Sequence, residues 1–256
     1  VYHWDGLPPA ARRAVEERTG RVREFEPRTG RLLAVTVRTA ASAVFVKGAP
    51  DDYLQVHTHN REATVNPWLP MASPRLKWRV RDGGWDLLGY DHIPGHPADL
   101  TPGSPDLPLV ARALQEVHNT PRPGVELRNA ENRWGSWVRD ADPQLLAGDT
   151  LLHTTLTPDD LLVGDRAHLV GWSQATVGAA WIDPAVLILR LMAAGHTAYD
   201  ADLWARRQFP AWAGAPRASV DAFSVANSRV WQAIAEDEPA IRMARAAAEW
   251  VRHRRS

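Results

Sequence analysis

The sequence predicts an α+β protein, with its strands gathered early and its helices late. Three observations carry this. RLLAVTVRT (31–39) and SAVFVKG (42–48) have the β-branched composition of strands. RLKWRVR (75–81) and WDLLGYDHI (85–93) flank Asp82-Gly83-Gly84, a strong hairpin turn signal. From residue 107 onward, Ala, Val, Ile, Leu, Met and Trp recur at helical spacing, interrupted by one short apolar hairpin at 161–172. At 256 residues and 45% hydrophobic, the chain can build one large core or two modest lobes.

In order, PPAARRAVEERT (8–19) reads as a helix with proline at its start, stopped by Gly20. VREFEP (22–27) begins a strand, and PRTG (27–30) turns the chain. A helix starts near Asp51–Asp52 and runs to Trp68 and Pro70. His57 and His59, two apart, point to different faces of it and make a poor metal site. TPGSPDLP (101–108) is a loop, LPLVARALQEVHN (107–119) a helix, and PRPGVEL (121–127) a loop. NAENRWGSWVRD (129–140) reads as an amphipathic helix whose Trp134 and Trp137 belong to the core. VLILRLMAA is nearly all apolar and belongs in a core, within a helix over 184–194. Three more helices follow at 198–208, 219–235 and 239–253. His92 and His96 read as surface or local-structure residues.

The informative stretch is LLHTTLTPDDLLVGDRAHLVGWSQ (151–174). A strand ends at Leu151–Leu152, and a polar loop runs from His153 to Asp160. LLV and HLVGW then form a hairpin with Gly164–Asp165 at its turn. Polar loops at the end of apolar strands are where folds place chemistry. VGAAWIDPA follows Trp172 and its surrounding turn.

The His153 frame and the GAAWIDPA segment resemble the aminoglycoside phosphotransferase and choline-kinase-like family. That family writes His-x-Asp, four residues, then Asn, and ends the hairpin in Asp–Trp. The resemblance covers nearly the whole chain. It implies a protein-kinase-like (APH-like) fold of two lobes, an antiparallel N-lobe sheet with a helix and a mainly helical C-lobe. The divisions would be 1–92, a hinge at 93–106, and 107–256. It places the family's catalytic Asp on Thr155, its metal-binding Asn on Asp160 and its metal-binding Asp on Gly171. His153 would hold the loop by hydrogen bonding. Lys47 and Glu62 match the strand-three lysine and helix glutamate in type and order, and would contact a nucleotide if one is bound. The turn around Gly30, with Arg28 and Arg31, sits where the family covers the phosphates, although one glycine is a thin phosphate loop. Asp183 either caps the following helix or braces the loop.

A kinase-type site needs a carboxylate to orient the attacking hydroxyl and oxygen ligands to hold Mg²⁺. Threonine has no carboxylate, and Gly171 has no side chain. Asp160 alone could touch a metal. The expectation is a pseudokinase that requires no cofactor, with at most vestigial ATP and magnesium binding. It would act by binding a protein partner, a second copy of itself, or a small molecule or peptide in the interlobe cleft. One alternative is an enzyme that reuses the cleft for another reaction in small-molecule or peptide biosynthesis, with His153 and Asp159 beside Asp160 as the groups to test. The other is a weak ATP-dependent phosphotransferase acting on a small-molecule hydroxyl.

Thirty basic and thirty acidic residues balance, so nothing in bulk charge points to nucleic acid. No apolar run approaches the roughly 20 residues of a membrane span. Cysteine is absent, which excludes disulfide and thiol chemistry. No signal-peptide core stands near Asp5, Pro8 and Pro9, which makes cytoplasm the expected compartment. Twenty prolines, twelve tryptophans and an Ala/Arg-rich tail suggest a GC-rich bacterial coding sequence.

Overall fold

A computed structural model describes residues 2–28, 32–53 and 56–256. They fall into two compact units, Val1–Gly95 with Gly171–Ser173, and His96–Val170 with Gln174–Ser256.

The first unit is an antiparallel sheet with two helices. Helix α1 (Pro9–Thr19) precedes strands β1 (Glu24–Pro27), β2 (Leu33–Arg38) and β3 (Ala43–Pro50). Helix α2 (Val56–Val65) and the hairpin β4 (Leu76–Asp82) and β5 (Trp85–Asp91) follow. The strand order is β1-β2-β3-β5-β4. Strand alternation sends Val35, Val37, Val44, Val46 and Leu87 into one core with Ala11 and Val15 of α1. The expected Asp82-Gly83-Gly84 turn closes β4 onto β5, with Gly83 and Gly84 both at positive φ. Gly89 is required by packing, since a Cβ there would lie 2.2 Å from the Trp78 indole. The opposite face of β3 carries Lys47, whose cross-strand partner is Leu88, and Phe45, which pairs with Tyr90. The turn around Gly30 and Arg31 lies outside the described residues, as do Leu54 and Gln55 in the expected start of the second helix.

The second unit is mainly helical. It contains β6 (His96–Pro97), α3 (Asp106–His118), β7 (Arg128–Asn129), α4 (Ala130–Trp134) and β8 (Thr150–Leu152). Next come β9 (Leu161–Val163), β10 (Ala167–Leu169) and β11 (Thr176–Gly178). The chain ends in α5 (Ile182–Ala193), α6 (Ala198–Gln208), α7 (Pro210–Ala213), α8 (Arg217–Ala233) and α9 (Glu238–Arg255). Two small sheets, β10-β9-β6 and β7-β11-β8, frame the loop after β8. Ten of the twelve α5 residues are buried, as its apolar sequence demands. Phe209, Trp212, Phe223 and Trp250 fill the helical core.

Three local readings are corrected. The helix expected over 129–140 stops at Trp134 and tightens into a 3₁₀ turn over Gly135–Trp137. Glycine there weakens continuation of the helix. The second hairpin strand ends at Leu169 rather than Trp172, because Gly171 at φ 74° turns the chain out of the extended form. Trp172 then joins the first unit, where its Nε1 donates to Ser73 Oγ at 3.1 Å. Strand β11 was not expected, since all three of its residues are buried and carry no alternation to read. Within the segment 93–106, Ala98 N–H donates to Leu161 O at 2.8 Å and Asp99 N–H to Asp106 Oδ2 at 2.8 Å. Among the described residues no helix is long and apolar enough to cross a membrane.

Candidate functional site

The loop between β8 and β9 is held from beneath by Asp183, at the start of α5. Its Oδ2 accepts from His153 N–H and its Oδ1 from Thr154 N–H, each at 2.8 Å. Asp183 is fully buried, and His118 Nε2 lies 3.6 Å from Oδ2. A carboxylate taking two backbone N–H groups is a strong, charge-assisted brace. Asp183 therefore braces the loop. Thr154 and Leu156 sit at φ 72° and 47°, the left-handed region that non-glycine residues seldom enter. Such strain is kept where surrounding structure over-determines it, often at functional loops.

His153 is buried beside this brace. Its Nε2 is 2.7 Å from Val170 O. A carbonyl can only accept, so Nε2 carries a proton. In the neutral ring Nδ1 is then the acceptor, and Thr155 Oγ1–H donates to it at 3.0 Å. The Thr155 carbonyl accepts from Arg190 Nε at 3.1 Å and Nη2 at 2.8 Å. Thr155 is thus held at both its hydroxyl and its backbone.

Asp160 closes a short 3₁₀ turn, Pro158–Asp160, in a reciprocal capping box with Thr157. Its Oδ2 accepts from Thr157 N–H at 3.0 Å and from the Thr157 hydroxyl at 2.7 Å, while its own N–H donates to Thr157 Oγ1 at 3.2 Å. Asp159, in the same turn, is exposed. Gly171 offers only backbone. Magnesium wants near-octahedral oxygen ligation, usually anchored by one or two carboxylates. Within the second unit, Thr155 gives its hydroxyl to His153 and Asp160 commits one carboxylate oxygen to its own turn. Among the described residues no group of three or more His, Asp or Glu is placed to hold a metal ion.

In the first unit, Lys47 Nζ donates to Glu62 Oε1. Glu62 is 3% exposed, and its Oε2 also accepts from Tyr90 Oη at 3.2 Å. Burial, together with the Glu62 charge, pushes the Tyr90 phenol far above its usual range, so it remains a donor. Beside this pair Arg79 grips the buried Asp86 with both arms, Nε to Oδ1 at 2.7 Å and Nη2 to Oδ2 at 2.5 Å. Burial works to raise the Asp86 pKa, but Arg79, His59 and Arg81 together hold it below the ordinary value. His59 Nδ1 lies 3.4 Å from Asp86 Oδ2. Burial lowers the His59 pKa, partly opposed by the Glu62 charge.

The residues that sequence reasoning missed lie in the second unit, around a cavity of about 320 Å³. Three arginines line it, Arg128, Arg133 and Arg190, and no described lining residue is acidic. Arg133 Nη1 donates to Thr154 Oγ1 at 2.6 Å and to Gln174 O at 2.8 Å, and its guanidinium sits 4.7 Å from the Trp134 ring centroid. The Arg190 guanidinium sits 5.2 Å from the Trp231 ring centroid. Trp137, read as core, is only half-buried and lines this cavity. The one available signal was Arg190 itself, a lone cation inside VLILRLMAA.

The fold is that of the aminoglycoside phosphotransferases and choline kinases, a protein-kinase-like α+β architecture. Three solved structures illustrate the likeness. Choline kinase LicA from Streptococcus pneumoniae matches with a TM-score of 0.62 at 13% identity, over 94% of this chain and 98% of that one. Aminoglycoside phosphotransferase APH(4)-Ia matches at 0.62 and 11%, over 94% and 97%. A putative fructosamine-3-kinase from Haemophilus somnus 129PT matches at 0.61 and 12%, over 97% and 99%. At these identities the likeness shows the fold. No protein-family model matches the sequence. No curated protein matches it in sequence.

Proposed function

We propose that this chain is a phosphotransferase-fold protein without phosphoryl transfer, a pseudokinase that acts by binding. One observation carries the reading. At the three positions where the resemblance puts acid or metal chemistry, the chain has a hydroxyl bonded to His153, a carboxylate locked in a capping box, and a bare glycine at positive φ. A positioned acid–base group is worth about 10²–10⁴ in rate, and a threonine hydroxyl cannot supply it at neutral pH. Asp183 and the Lys47–Glu62 pair remain, but each has structural work: one holds the loop backbone, the other ties a helix to a sheet. The cavity supports the same departure. A cationic acceptor such as choline would meet arginines there and no described acid. Binding in this reading needs no metal and no nucleotide.

A second reading rests on the Thr155–His153 contact. A hydroxyl 3.0 Å from an imidazole acceptor, at the edge of a cavity, is the start of a nucleophile–base pair. The His153 proton, however, goes to a backbone carbonyl rather than to a carboxylate that would stabilise an imidazolium. The binding role is therefore preferred.

The test is phosphoryl transfer from ATP with Mg²⁺ to choline, hygromycin B and a fructosamine, followed by ³¹P NMR. The proposal expects no phosphorylated product. A product that forms with native protein and requires Mg²⁺ overturns it.

A further inference from the structure

The cation Arg190 sits on the apolar stretch of α5 that follows Asp183, and it faces a cavity. No described carboxylate lies within ion-pair distance of it; Asp160 acts on it only through space. Its bonds to protein run from Nε and Nη2 to a single carbonyl, that of Thr155. Burial draws its pKa down to about 10, which leaves it charged at neutral pH. A largely buried charge without a counter-ion is costly, and structures carry one where something else neutralises it. Arg79 of the first unit shows the ordinary solution, a bidentate grip on Asp86. Arg190 has no such acid, and the space in front of it holds two further guanidinium groups.

The rest of the cavity is aromatic and aliphatic. Trp134, Trp231, Leu189 and Ile234 contribute to its walls, and Ile234 is 49% exposed at its rim. Its volume lies at the lower end of small-molecule sites, which combine apolar walls with a few oriented polar groups. Guanidinium groups offer planar, forked donors matched to carboxylate and phosphate oxygens, and a flat ligand can lie against indole.

We propose that this cavity binds a small organic anion, a carboxylate or phosphate monoester with an aromatic body, whose charged head is received by Arg190 with Arg128 and Arg133. The proposal deepens the binding role and rests on it. Arg190 would bind the ligand head directly and, through the Thr155 carbonyl, connect occupancy to the strained loop.

Isothermal titration calorimetry on the full chain tests this with phenylacetate, phenyl phosphate, inorganic phosphate and phenethylamine. At least one of the two aromatic anions should bind, and the tighter of them identifies the head group. Phenethylamine, the matching cation, should not bind, and inorganic phosphate should bind more weakly than the tighter aromatic anion. Arg190→Met should weaken the anion about tenfold or more. Circular dichroism and the melting temperature report whether that variant is folded. If it is not, Arg128→Gln and Trp231→Ala, at the cavity's more exposed lining, should each weaken binding instead. Absence of binding by both aromatic anions at millimolar concentration overturns the proposal. So does equal binding of phenethylamine, equal binding of inorganic phosphate, or undiminished binding by folded variants. Magnesium-dependent phosphoryl transfer alongside anion binding would sink the non-catalytic reading and leave the cavity's ligand class standing. No transfer and no anion binding would sink the ligand class alone.

Discussion

One cluster in each unit shows buried charge treated in opposite ways. In the first, Lys47 meets Glu62, and Arg79 meets Asp86 with His59 beside it. Each buried acid there has a cation, and the product is a helix fixed to a sheet. In the second, the loop from His153 to Asp160 is held by hydroxyls, backbone groups and one bracing carboxylate, while Arg190 faces open space. The contrast separates two uses of an acidic residue. Asp183 and Glu62, which hold structure, stand where the resemblance puts acids. The positions that would orient a hydroxyl or hold a metal carry Thr155, Gly171 and a self-capping Asp160.

The largest expected effect tests the brace. Asp183→Ala strands two buried N–H donors, so unfolding should become easier by about 2–5 kcal/mol in urea titration. A cost below this would mean the loop is held otherwise. Lys47→Met leaves Glu62 with only Tyr90 and should cost about 2–4 kcal/mol by the same method, because breaking a buried pair strands a charge. Equal stability would show that the pair does not tie helix to sheet, and would reopen a nucleotide role for Lys47.

A pH series comes next. Burial holds His59, and also His92 and His168, below the ordinary histidine value. A group depressed in the folded state contributes stability that is whole above its unfolded pKa and is lost as pH falls through the folded one. The melting temperature should therefore hold above about pH 6.5 and decline on acidification below it. Asp86, also depressed, extends the loss below the carboxylate range. His59→Gln should flatten the first part of that decline. The smallest effect belongs to Asp160→Ala. Loss of a cap should cost about 0.5–2 kcal/mol in urea titration. Thermal melts with ATP and Mg²⁺ should shift no differently for this variant than for the native chain.

Much of the architecture was legible because its signals are local. Asp82-Gly83-Gly84 can hardly be anything but a hairpin turn, and the apolar run of α5 can only be buried. The His153 frame located the loop, and Lys47 and Glu62 do form an ion pair. What was not legible depends on contacts between distant positions. Sequence left Asp183 open between cap and brace, since only the fold brings its oxygens to the His153 and Thr154 amides. Strand β11 was hidden because buried strands lose their alternation. The end of the hairpin was misplaced because Gly171 was weighed as a missing ligand rather than as a backbone turn. The arginine-lined cavity drew Arg128 and Arg133 from one stretch and Arg190 from a helix far along the chain, and no spacing rule joins them. Trp137 looked like core because helical periodicity was extended past Gly135, where the helix had already ended.

The central proposal is that the loop keeps a kinase-like frame without its chemistry. The most direct measurement is the initial rate of γ-phosphate release from ATP, with and without Mg²⁺, for the native chain beside Asp160→Ala. The account predicts that both proteins are indistinguishable from buffer at every magnesium concentration. Native turnover that rises with magnesium and disappears in Asp160→Ala would contradict it.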